Sequence, residues 1–373
     1  MAFRTSYSQN NTFIQCSKAW YWQYIEGYYS EIEGSSLYFG TAIDRAVSDM
    51  LENNPDWLKT FHNTWEYQAK DGKGARLFDH PNITYSHKDF DADLLDATDY
   101  PELEKWAKEL NLMPKTATPT NQQLVDLFKA CSKAKSSSWI TITPDQFKYF
   151  NRCSWIGLKR KGEILLKSFD EQVRPKITKV ISTQKRAEIE DPATGDKIVG
   201  YVDMILEMQG YDKPIIFDLK TSAQPYEQHQ LDVSPQLTLY AAMEAKKHNT
   251  NLVGYIILQK NVGKDNVAHC DKCNIQKNTR HILCNATPVG NIRCNGNWVE
   301  TKLLKPEVQI MIAEKSQEQI DDLLLDYGNI ILAMKNQVVY KNIDKCNNWY
   351  GGQCAFKGLC HGGSTANLKK KQK

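Results

Sequence analysis

Two adjacent apolar segments carry three charged residues at strand spacing, and this pattern constrains the fold more than any other part of the sequence. Residues 199–208 and 214–220 predict β-strands joined by a polar turn, which together make a hairpin. Asp218 and Lys220 are two residues apart, so they project from one face of the second strand, where Asp203 on the first strand can join them. The sequence thus predicts two carboxylates and one ammonium group at one point of a sheet.

Asp218 follows the run Ile215-Ile216-Phe217, which is typical of a buried central strand. A buried carboxylate without a partner is costly, so it is normally matched by a cation or a metal ion. Two carboxylates and a lysine suit Mg²⁺ or Mn²⁺ held beside a phosphodiester, with a water molecule activated for attack. The alternative is that Asp218 and Lys220 form a solvated pair on an exposed strand face. The apolar run favours the metal site.

Three short motifs, in this order and at these separations, resemble those of the PD-(D/E)XK nuclease superfamily: Gly200-Tyr-Val-Asp203, Asp218-Leu-Lys220 and Gln236-x-x-x-Tyr240. The similarity is to the RecB-like branch with an iron–sulfur cluster, which includes the AddB nuclease domain and the CRISPR-associated exonucleases. The segment 6–24, with Cys16 followed by aromatic residues, is similar to the opening helix of that branch. The stretch Phe39-Gly40-Thr-Ala-Ile-Asp44 stands where the family has a Gly-x-x-x-His segment.

The resemblance implies a role for each matching residue. The ligands of Mg²⁺ or Mn²⁺ would be three carboxylates and one backbone carbonyl, those of Asp44, Asp203, Asp218 and Leu219. Lys220 would position or deprotonate the attacking water, and Gln236 and Tyr240 would orient Lys220 and the scissile strand. Asp44 departs from the family's histidine, but its carboxylate is a competent oxygen ligand, so metal binding is retained while the metal preference is open. The alternative is that Asp44 faces solvent on its helix.

Ten cysteines indicate bound metal rather than disulfides, because no signal peptide is recognisable and the sequence therefore predicts a reducing, cytoplasmic compartment. Four of them lie in a segment poor in apolar side chains, at Cys270, Cys273, Cys284 and Cys294. Such a segment needs a cross-link to hold its shape, and Zn²⁺ on four thiolates provides one, which predicts a small zinc ribbon. The alternatives are chance cysteines or a second iron site. His269 and His281 could substitute as ligands.

Three further cysteines lie near the C-terminal end in the pattern Cys346-x7-Cys354-x5-Cys360, with glycines that let the backbone wrap closely. Three thiolates are one short of a full set of ligands. The resemblance supplies Cys16 as the fourth, because the iron–sulfur branch holds a [4Fe–4S] cluster with one N-terminal and three C-terminal cysteines. The first gap is longer than is often seen in that branch, and Zn²⁺ on the same four thiolates is the competing interpretation. Two cysteines remain and are expected to be buried small residues, Cys131 and Cys153.

The composition is that of a globular chain of 373 residues, 41% hydrophobic, with a net charge of +3 that permits nucleic-acid binding without requiring it. The longest apolar run, 252–258, is too short to span a membrane. The region before the hairpin predicts helices, with capping boxes at Thr120 and Thr143. Basic residues around Trp155, within 151–168, suit contact with a single nucleic-acid strand, or else form a solvated helix face.

Together these features predict an α/β fold: a PD-(D/E)XK restriction-endonuclease-like core, with a central mixed sheet flanked by helices, a helical insertion and a small zinc ribbon. The expected divisions are the N-terminal part of the core, the helical insertion, the catalytic core, the ribbon and the C-terminal cysteine segment, at 1–50, 51–180, 181–262, 263–300 and 301–373.

The expected function is that of a metal-dependent deoxyribonuclease, an exonuclease on single-stranded or frayed DNA ends in recombination, repair or replication. The chain has no Gly-x-x-x-x-Gly-Lys-Ser/Thr phosphate loop, so unwinding would come from a helicase or recombination partner. Two alternatives stay open: a non-catalytic DNA-binding scaffold subunit of a helicase/nuclease complex, and a CRISPR adaptation factor that trims pre-spacers. The iron–sulfur branch with an added ribbon is similar to bacteriophage proteins, which would place the protein in the host cytoplasm.

Overall fold

A six-stranded mixed sheet forms the centre of the protein. The computed structural model describes residues 3–66, 77–278, 280–287, 292–346 and 354–371, without the side chains of 301–303. Within these residues the strands are β1 (Arg4–Ser6), β2 (Tyr28–Ser30), β3 (Glu33–Gly34), β4 (Ile83–Thr84), β5 (Ile177–Glu190), β6 (Lys197–Met208), β7 (Ile215–Ser222), β8 (Leu252–Gln259), β9 (Gly263–Cys270), β10 (Trp298–Lys305), β11 (Val308–Glu314) and β12 (Leu368–Lys370).

The α-helices of the described residues vary from one turn to eight. They are α1 (Tyr7–Gln15), α2 (Ser17–Trp20), α3 (Ser35–Leu51), α4 (Trp57–Glu66), α5 (Asp99–Glu109), α6 (Asn121–Ser136), α7 (Pro144–Gln172), α8 (Gln228–Asp232), α9 (Pro235–His248), α10 (Gln317–Lys335) and α11 (Lys357–Gly362). A π-helical turn, Tyr21–Ile25, continues α2.

The central sheet has the order β1-β6-β7-β8-β11, and β5 pairs with the other edge of β6. The β6–β7 ladder is antiparallel and short, ending at the pair Met204 and Phe217. The β7–β8 ladder is parallel and continues to Ser222 and Gln259. Strand β7 therefore lies inside the sheet with one antiparallel and one parallel neighbour, and its last five residues extend beyond its ladder with β6.

The predicted hairpin is confirmed, with small shifts in the ends of its two strands. Helix α9 begins at Pro235 because the Ser234 side chain accepts a hydrogen bond from the backbone N–H of Leu237, and it ends where Asn249 takes a left-handed conformation. The connection between β7 and α9 contains the short helix α8.

Two hydrophobic cores cover the two faces of the sheet. On one face, Leu206, Phe217 and Ile256 pack in the same cluster as Leu103 and Phe128 from the helical region. On the other face, the strands pack against α9 and α10 in a second cluster. Since the helices between 57 and 172 share a continuous core with the sheet, they are packed onto it rather than folded around a core of their own.

Both predicted capping boxes are present, at the N-termini of α6 and α7. The expectation that the basic residues of α7 face a nucleic-acid strand is wrong for three of them. Arg152 pairs with Asp79 and Glu109, Arg160 pairs with Asp99, and Lys161 is buried. Trp155 is also buried, stacked on Trp65. Helix α7 crosses the middle of the helical region, so most of its surface is covered by neighbouring helices.

The remaining strands form three small sheets, β9 with β10, β2 with β12 and β3 with β4. The β2–β12 pair joins a segment near the N-terminus to one near the C-terminus, with Leu368 opposite Ser30. Among the described helices, none is long and apolar enough to cross a membrane.

Candidate active site and cysteine centres

Asp203, Asp218 and Lys220 meet at the point where the β6–β7 ladder ends. Because the ladder stops at Phe217, the backbone N–H of Leu219 is available, and it donates a hydrogen bond of 2.8 Å to Asp203 Oδ2. Asp218 and Lys220 project from the same face of β7, and the Lys220 Nζ lies 2.5 Å from Asp218 Oδ2. The structure thus brings together the three charged groups that the hairpin pattern predicts.

Gln236, from the first turn of α9, connects these groups to one another. Its side-chain oxygen accepts a hydrogen bond of 3.2 Å from Lys220 Nζ. Its amide nitrogen donates to Asp218 Oδ1 at 2.7 Å and lies 2.9 Å from the hydroxyl of Tyr240, one helical turn later. A single amide therefore fixes the relative positions of the carboxylate, the ammonium and the phenol.

Asp44 reaches the site from α3, on the opposite side of the carboxylates from α9. It does not face solvent freely, because Gln184 Nε2 donates a hydrogen bond of 2.8 Å to its Oδ1. The same glutamine lowers the pKa of Asp203 through a side-chain hydrogen bond. Gln184 lies opposite Asp203 in the β5–β6 register and has a φ of 44°, a left-handed conformation that is unusual for a side chain of this size.

Gln184 is a site residue that the sequence gives no means of finding. It does not titrate, it belongs to none of the three motifs, and only the pairing of β5 with β6 brings it beside Asp203. Two tyrosines also border the site. The Tyr7 pKa is raised by burial, lowered by Lys220 and raised by Asp218, and the Tyr255 ring lies 6.0 Å from Lys220 Nζ.

Burial dominates the electrostatics of the three carboxylates. It raises the pKa of Asp44 to about 7, with further contributions from the charges of Asp203 and Asp218. It also raises the pKa of Asp218 to about 7, against the opposing effect of Lys220. The pKa of Asp203 is raised by burial as well, although the Leu219 N–H opposes this. Three acids thus share one region, in which Asp203 disfavours the ionisation of both Asp44 and Asp218.

Lys220 is held in its charged form. Burial alone would lower its pKa, but the charges of Asp218 and Asp203 outweigh burial and raise it. Lys220 could therefore act as a base only where another cation neutralises the carboxylates.

The donor set fits a divalent cation. Asp218 Oδ2 is buried and, apart from the Lys220 ammonium 2.5 Å away, has no hydrogen-bond partner among the described residues. The surrounding ligand atoms are carboxylate oxygens, which Mg²⁺ and Mn²⁺ prefer. A cation beside Asp44, Asp203 and Asp218 would stabilise their charged forms, which burial disfavours.

Four cysteines gather around β9 and β10. Their sulfur atoms all lie within 4.8 Å of one another, in the group Cys270, Cys273, Cys284 and Cys294. The closest pairs are 3.4 Å for Cys270 and Cys294, and 3.5 Å for Cys273 and Cys284. A tetrahedral zinc ion with Zn–S bonds of ~2.3 Å places its sulfurs ~3.8 Å apart, so these four are spaced for a single ion. The group includes neither His269 nor His281.

Backbone N–H groups at the turn of this cluster favour a thiolate. Burial would raise the pKa of Cys270, but hydrogen bonds from the Cys273 and Lys272 backbones, together with neighbouring thiols, lower it to about 6. The thiolate is the form that binds metal ions.

Cys16 lies beside the C-terminal cysteines, as the resemblance implies. The pKa of Cys354 is raised by burial and then by Cys346, Cys16 and Cys360, which places all three of these thiols near Cys354. The Cys16 sulfur accepts from a backbone N–H at 3.4 Å, and the Cys360 sulfur accepts from the Trp22 indole at 3.4 Å. Such donors are typical around metal-bound thiolates.

The second group of cysteines is spaced more widely than the first. Among the described residues, only the four cysteines around the β9–β10 hairpin have all their sulfur atoms within 4.8 Å of one another. His361 Nε2 lies 3.8 Å from the Cys346 sulfur and was not foreseen from the sequence. The two remaining cysteines, Cys131 and Cys153, are fully buried, as predicted.

Several carboxylates, a lysine and an amide lie together around the central strand of a mixed sheet. This arrangement defines the class of protein: a hydrolase whose site is suited to a metal ion and a phosphodiester. A sequence profile described as "PD-(D/E)XK nuclease superfamily" matches residues 4–361, nearly the whole chain. The chain belongs to the PD-(D/E)XK nuclease superfamily, and this membership implies a nuclease. The superfamily predicted from three motifs is confirmed, whereas its iron–sulfur branch stays a prediction.

Two further comparisons add little. None of the curated proteins compared with the chain is significantly similar to it in sequence. A solved structure titled "Crystal structure of SSO0001" is similar to 63% of this chain and 86% of its own, with 13% identity and a TM-score of 0.22. A similarity at that level supports no argument about fold or activity.

Proposed function

We propose that the protein is a metal-dependent deoxyribonuclease that acts as an exonuclease on single-stranded or frayed DNA ends. The observation that carries this proposal is the shared network of Asp218, Lys220 and Gln236, in which one amide contacts both the buried carboxylate and the ammonium. A non-catalytic scaffold has no use for buried charges held in this arrangement, because they cost free energy of folding.

Each residue has a role that follows from its position. Asp44, Asp203, Asp218 and the Leu219 carbonyl would hold Mg²⁺ or Mn²⁺, which supplies a Lewis acid for the phosphoryl oxygen when bound. Lys220 places its ammonium beside the metal ligands, where it orients the attacking water and balances charge that develops on phosphorus. Gln236 keeps Lys220 in position through its side-chain oxygen. Tyr240 holds the Gln236 amide from the other side.

The two groups of cysteines suit different metal centres. The close sulfur spacing of Cys270, Cys273, Cys284 and Cys294 favours a single Zn²⁺ that stabilises the β9–β10 hairpin. The wider group of Cys16, Cys346, Cys354 and Cys360 favours a [4Fe–4S] cluster, whose size separates its ligands further than one ion does. Such a cluster would join the two ends of the chain, next to the β2–β12 pair. All ten cysteines are free, which favours a reducing, cytoplasmic location.

The proposal leaves unwinding of duplex DNA to a partner. The chain has no phosphate loop of the ATPase type. A helicase or recombination protein would supply the single strand. We also propose that the protein belongs to the iron–sulfur branch of the superfamily, in recombination, repair or replication of phage or host DNA.

The test is degradation of single-stranded DNA labelled at either its 5′ or its 3′ end, with Mg²⁺ or Mn²⁺. Wild type should remove one label as mononucleotides or short oligomers. Lys220→Ala should reduce the rate by about 10²- to 10⁴-fold, the range for loss of a group acting on the attacking water. Lys213→Ala is the matched control, because Lys213 is exposed before the start of β7 and should leave the rate unchanged.

One result would contradict the nuclease proposal. If wild type binds the strand but leaves both labels intact with every metal, the protein is a DNA-binding scaffold. If both ends disappear together as long fragments, the enzyme is an endonuclease and the exonuclease part of the proposal is wrong.

A further inference from the structure

A cavity of about 400 Å³ lies beyond the C-terminal ends of β7 and β8. It is bordered by the segments that follow these strands, by the N-terminus of α3 and by part of α7, through Ser35, Ser86, Lys88, Lys161, Ala223 and Lys260. In α/β sheets, ligands bind preferentially outside the carboxyl ends of parallel strands. The cavity therefore occupies a position where ligand binding is common, and no catalytic motif accounts for it.

Three ammonium groups surround this cavity, against one carboxylate in its lining. Lys161 is only 5% exposed, and its Nζ donates a hydrogen bond of 2.5 Å to the backbone carbonyl of Lys88. The Lys260 Nζ lies 6.0 Å from the centre of the Phe39 ring. Neither Lys161 nor Lys260 forms an ion pair with any described residue. Burial lowers the pKa of both lysines, and the charge of Asp89 opposes this effect without overcoming it.

The cavity lining contains one carboxylate, that of Asp89, and this carboxylate accepts hydrogen bonds from neighbouring residues. Its Oδ2 accepts a hydrogen bond of 3.0 Å from the Ser35 hydroxyl and one of 2.8 Å from the backbone N–H of Ser86. Helix α3 adds further positive potential, because its N-cap Gly34 has no side-chain cap and its first turn has no acidic residue. The cavity thus combines cationic side chains with the N-terminal end of a helix.

Two segments of the chain give the distance between this cavity and the catalytic residues. Ser36 precedes Asp44 by two turns of α3, which at 1.5 Å per residue is about 12 Å. Gln224 follows Lys220 along an extended segment, which at ~3.3 Å per residue is at most about 13 Å. At a rise of ~3.4 Å per nucleotide this is at most about four nucleotides, and fewer along an extended strand.

We infer that this cavity binds a phosphate of the substrate strand, within a few nucleotides of the scissile bond. The phosphate belongs either to an internal phosphodiester or to the end of the strand, and the chemistry of the site accepts both. Binding there would set the register of the strand at the carboxylates. The inference depends on the proposed function in one respect, that the ligand is a DNA strand.

The experiment measures binding of a short single-stranded oligonucleotide with a 3′ fluorescent label, by fluorescence anisotropy over a range of salt concentrations. All proteins carry Lys220→Ala so that the strand stays intact. Lys260→Gln should raise the Kd several-fold and reduce the slope of log K against log salt by about 0.7, the value for one phosphate contact on a single strand. Lys213→Gln makes the same charge change at the other end of β7 and should alter neither quantity.

A second variant, Lys88→Gln, changes an exposed side chain that cannot affect folding greatly, and it should weaken binding in the same way. Each strand is tested with a 5′-phosphate and with a 5′-hydroxyl. Loss of affinity for both strands identifies an internal phosphodiester, and loss confined to the phosphorylated strand identifies a terminal phosphate. If Lys260→Gln and Lys88→Gln both bind like Lys213→Gln, the inference is wrong.

Failure of this inference is distinguishable from failure of the proposed function. Cleavage by the protein with native Lys220, together with unchanged binding by the lysine variants, overturns only the phosphate site. Weakened binding by Lys260→Gln, together with no cleavage by the protein with native Lys220, keeps the phosphate site and overturns the nuclease.

Discussion

Replacing Asp44 with asparagine should make the protein more stable at neutral and alkaline pH when divalent cations are removed. Burial, and then the charges of Asp203 and Asp218, raise the pKa of the Asp44 carboxyl from 3.8 to about 7. Between these values the folded protein holds a proton that the unfolded chain has released, so the free energy of unfolding falls as pH rises through this window. Above about pH 7 both states are ionised and the loss is complete.

The size of the effect follows from the shift. One titrating group changes the free energy of unfolding by 1.36 kcal/mol per pH unit. From about pH 5 to about pH 7, wild type should therefore lose up to about 3 kcal/mol relative to Asp44→Asn. The variant removes the charge and little else, because asparagine keeps an oxygen that can accept the hydrogen bond from Gln184.

The assay is urea unfolding of wild type and Asp44→Asn at intervals from about pH 5 to about pH 8, in buffer passed over a chelating resin. Asp212→Asn is the control, since Asp212 is an exposed carboxylate in the turn between β6 and β7, and its profile should run parallel to wild type. Added Mn²⁺ should stabilise wild type more than Asp44→Asn, because binding to the folded state alone raises stability. If the Asp44→Asn and wild-type profiles are parallel, the carboxylates are not mutually repelling and the argument for a cation there is refuted.

Three other results are expected. Gly254→Ala should destabilise the protein by about 1–3 kcal/mol or more in urea unfolding, because the new Cβ would come within 2.4 Å of a backbone carbonyl on β11. Its control is Gly40→Ala, whose new Cβ meets nothing within 4 Å and should stabilise α3 by about 0.5–1 kcal/mol. Cys270→Ser should lower zinc content in a metal assay without reducing DNA cleavage; loss of cleavage would place the ribbon at the active site. Cys354→Ala should abolish the visible absorption of anaerobically purified protein, and a wild type that is colourless would rule out the cluster.

Local patterns in the sequence were sufficient for the elements that carry the catalytic residues. The two apolar segments predict β6 and β7, and the run Ile215-Ile216-Phe217 indicates that β7 is a buried central strand. Successive side chains of a strand point to opposite faces, so Asp218 and Lys220, two residues apart in β7, project from the same face. The capping boxes of α6 and α7 were equally predictable, since a cap depends on residues only three apart.

Long-range packing decided what each polar residue does. Arg152 and Arg160 look like a basic surface in the sequence, yet they form ion pairs with acids many residues away because α7 runs through the helical region. Lys260, by contrast, has no sequence feature that separates it from an ordinary surface lysine. Only the packing of β7 and β8 against α3 gives it a cavity to line.

The sequence by itself determined the family, the three motifs and two groups of cysteines, because these depend on residue type and on spacing along the chain. The tertiary structure decided that Gln184 completes the site and that Cys16 meets Cys354 across more than three hundred residues. It also decided that Lys220 is held as an ammonium. These outcomes depend on burial and on charges brought close by folding, and neither quantity is a property of any local stretch of the chain.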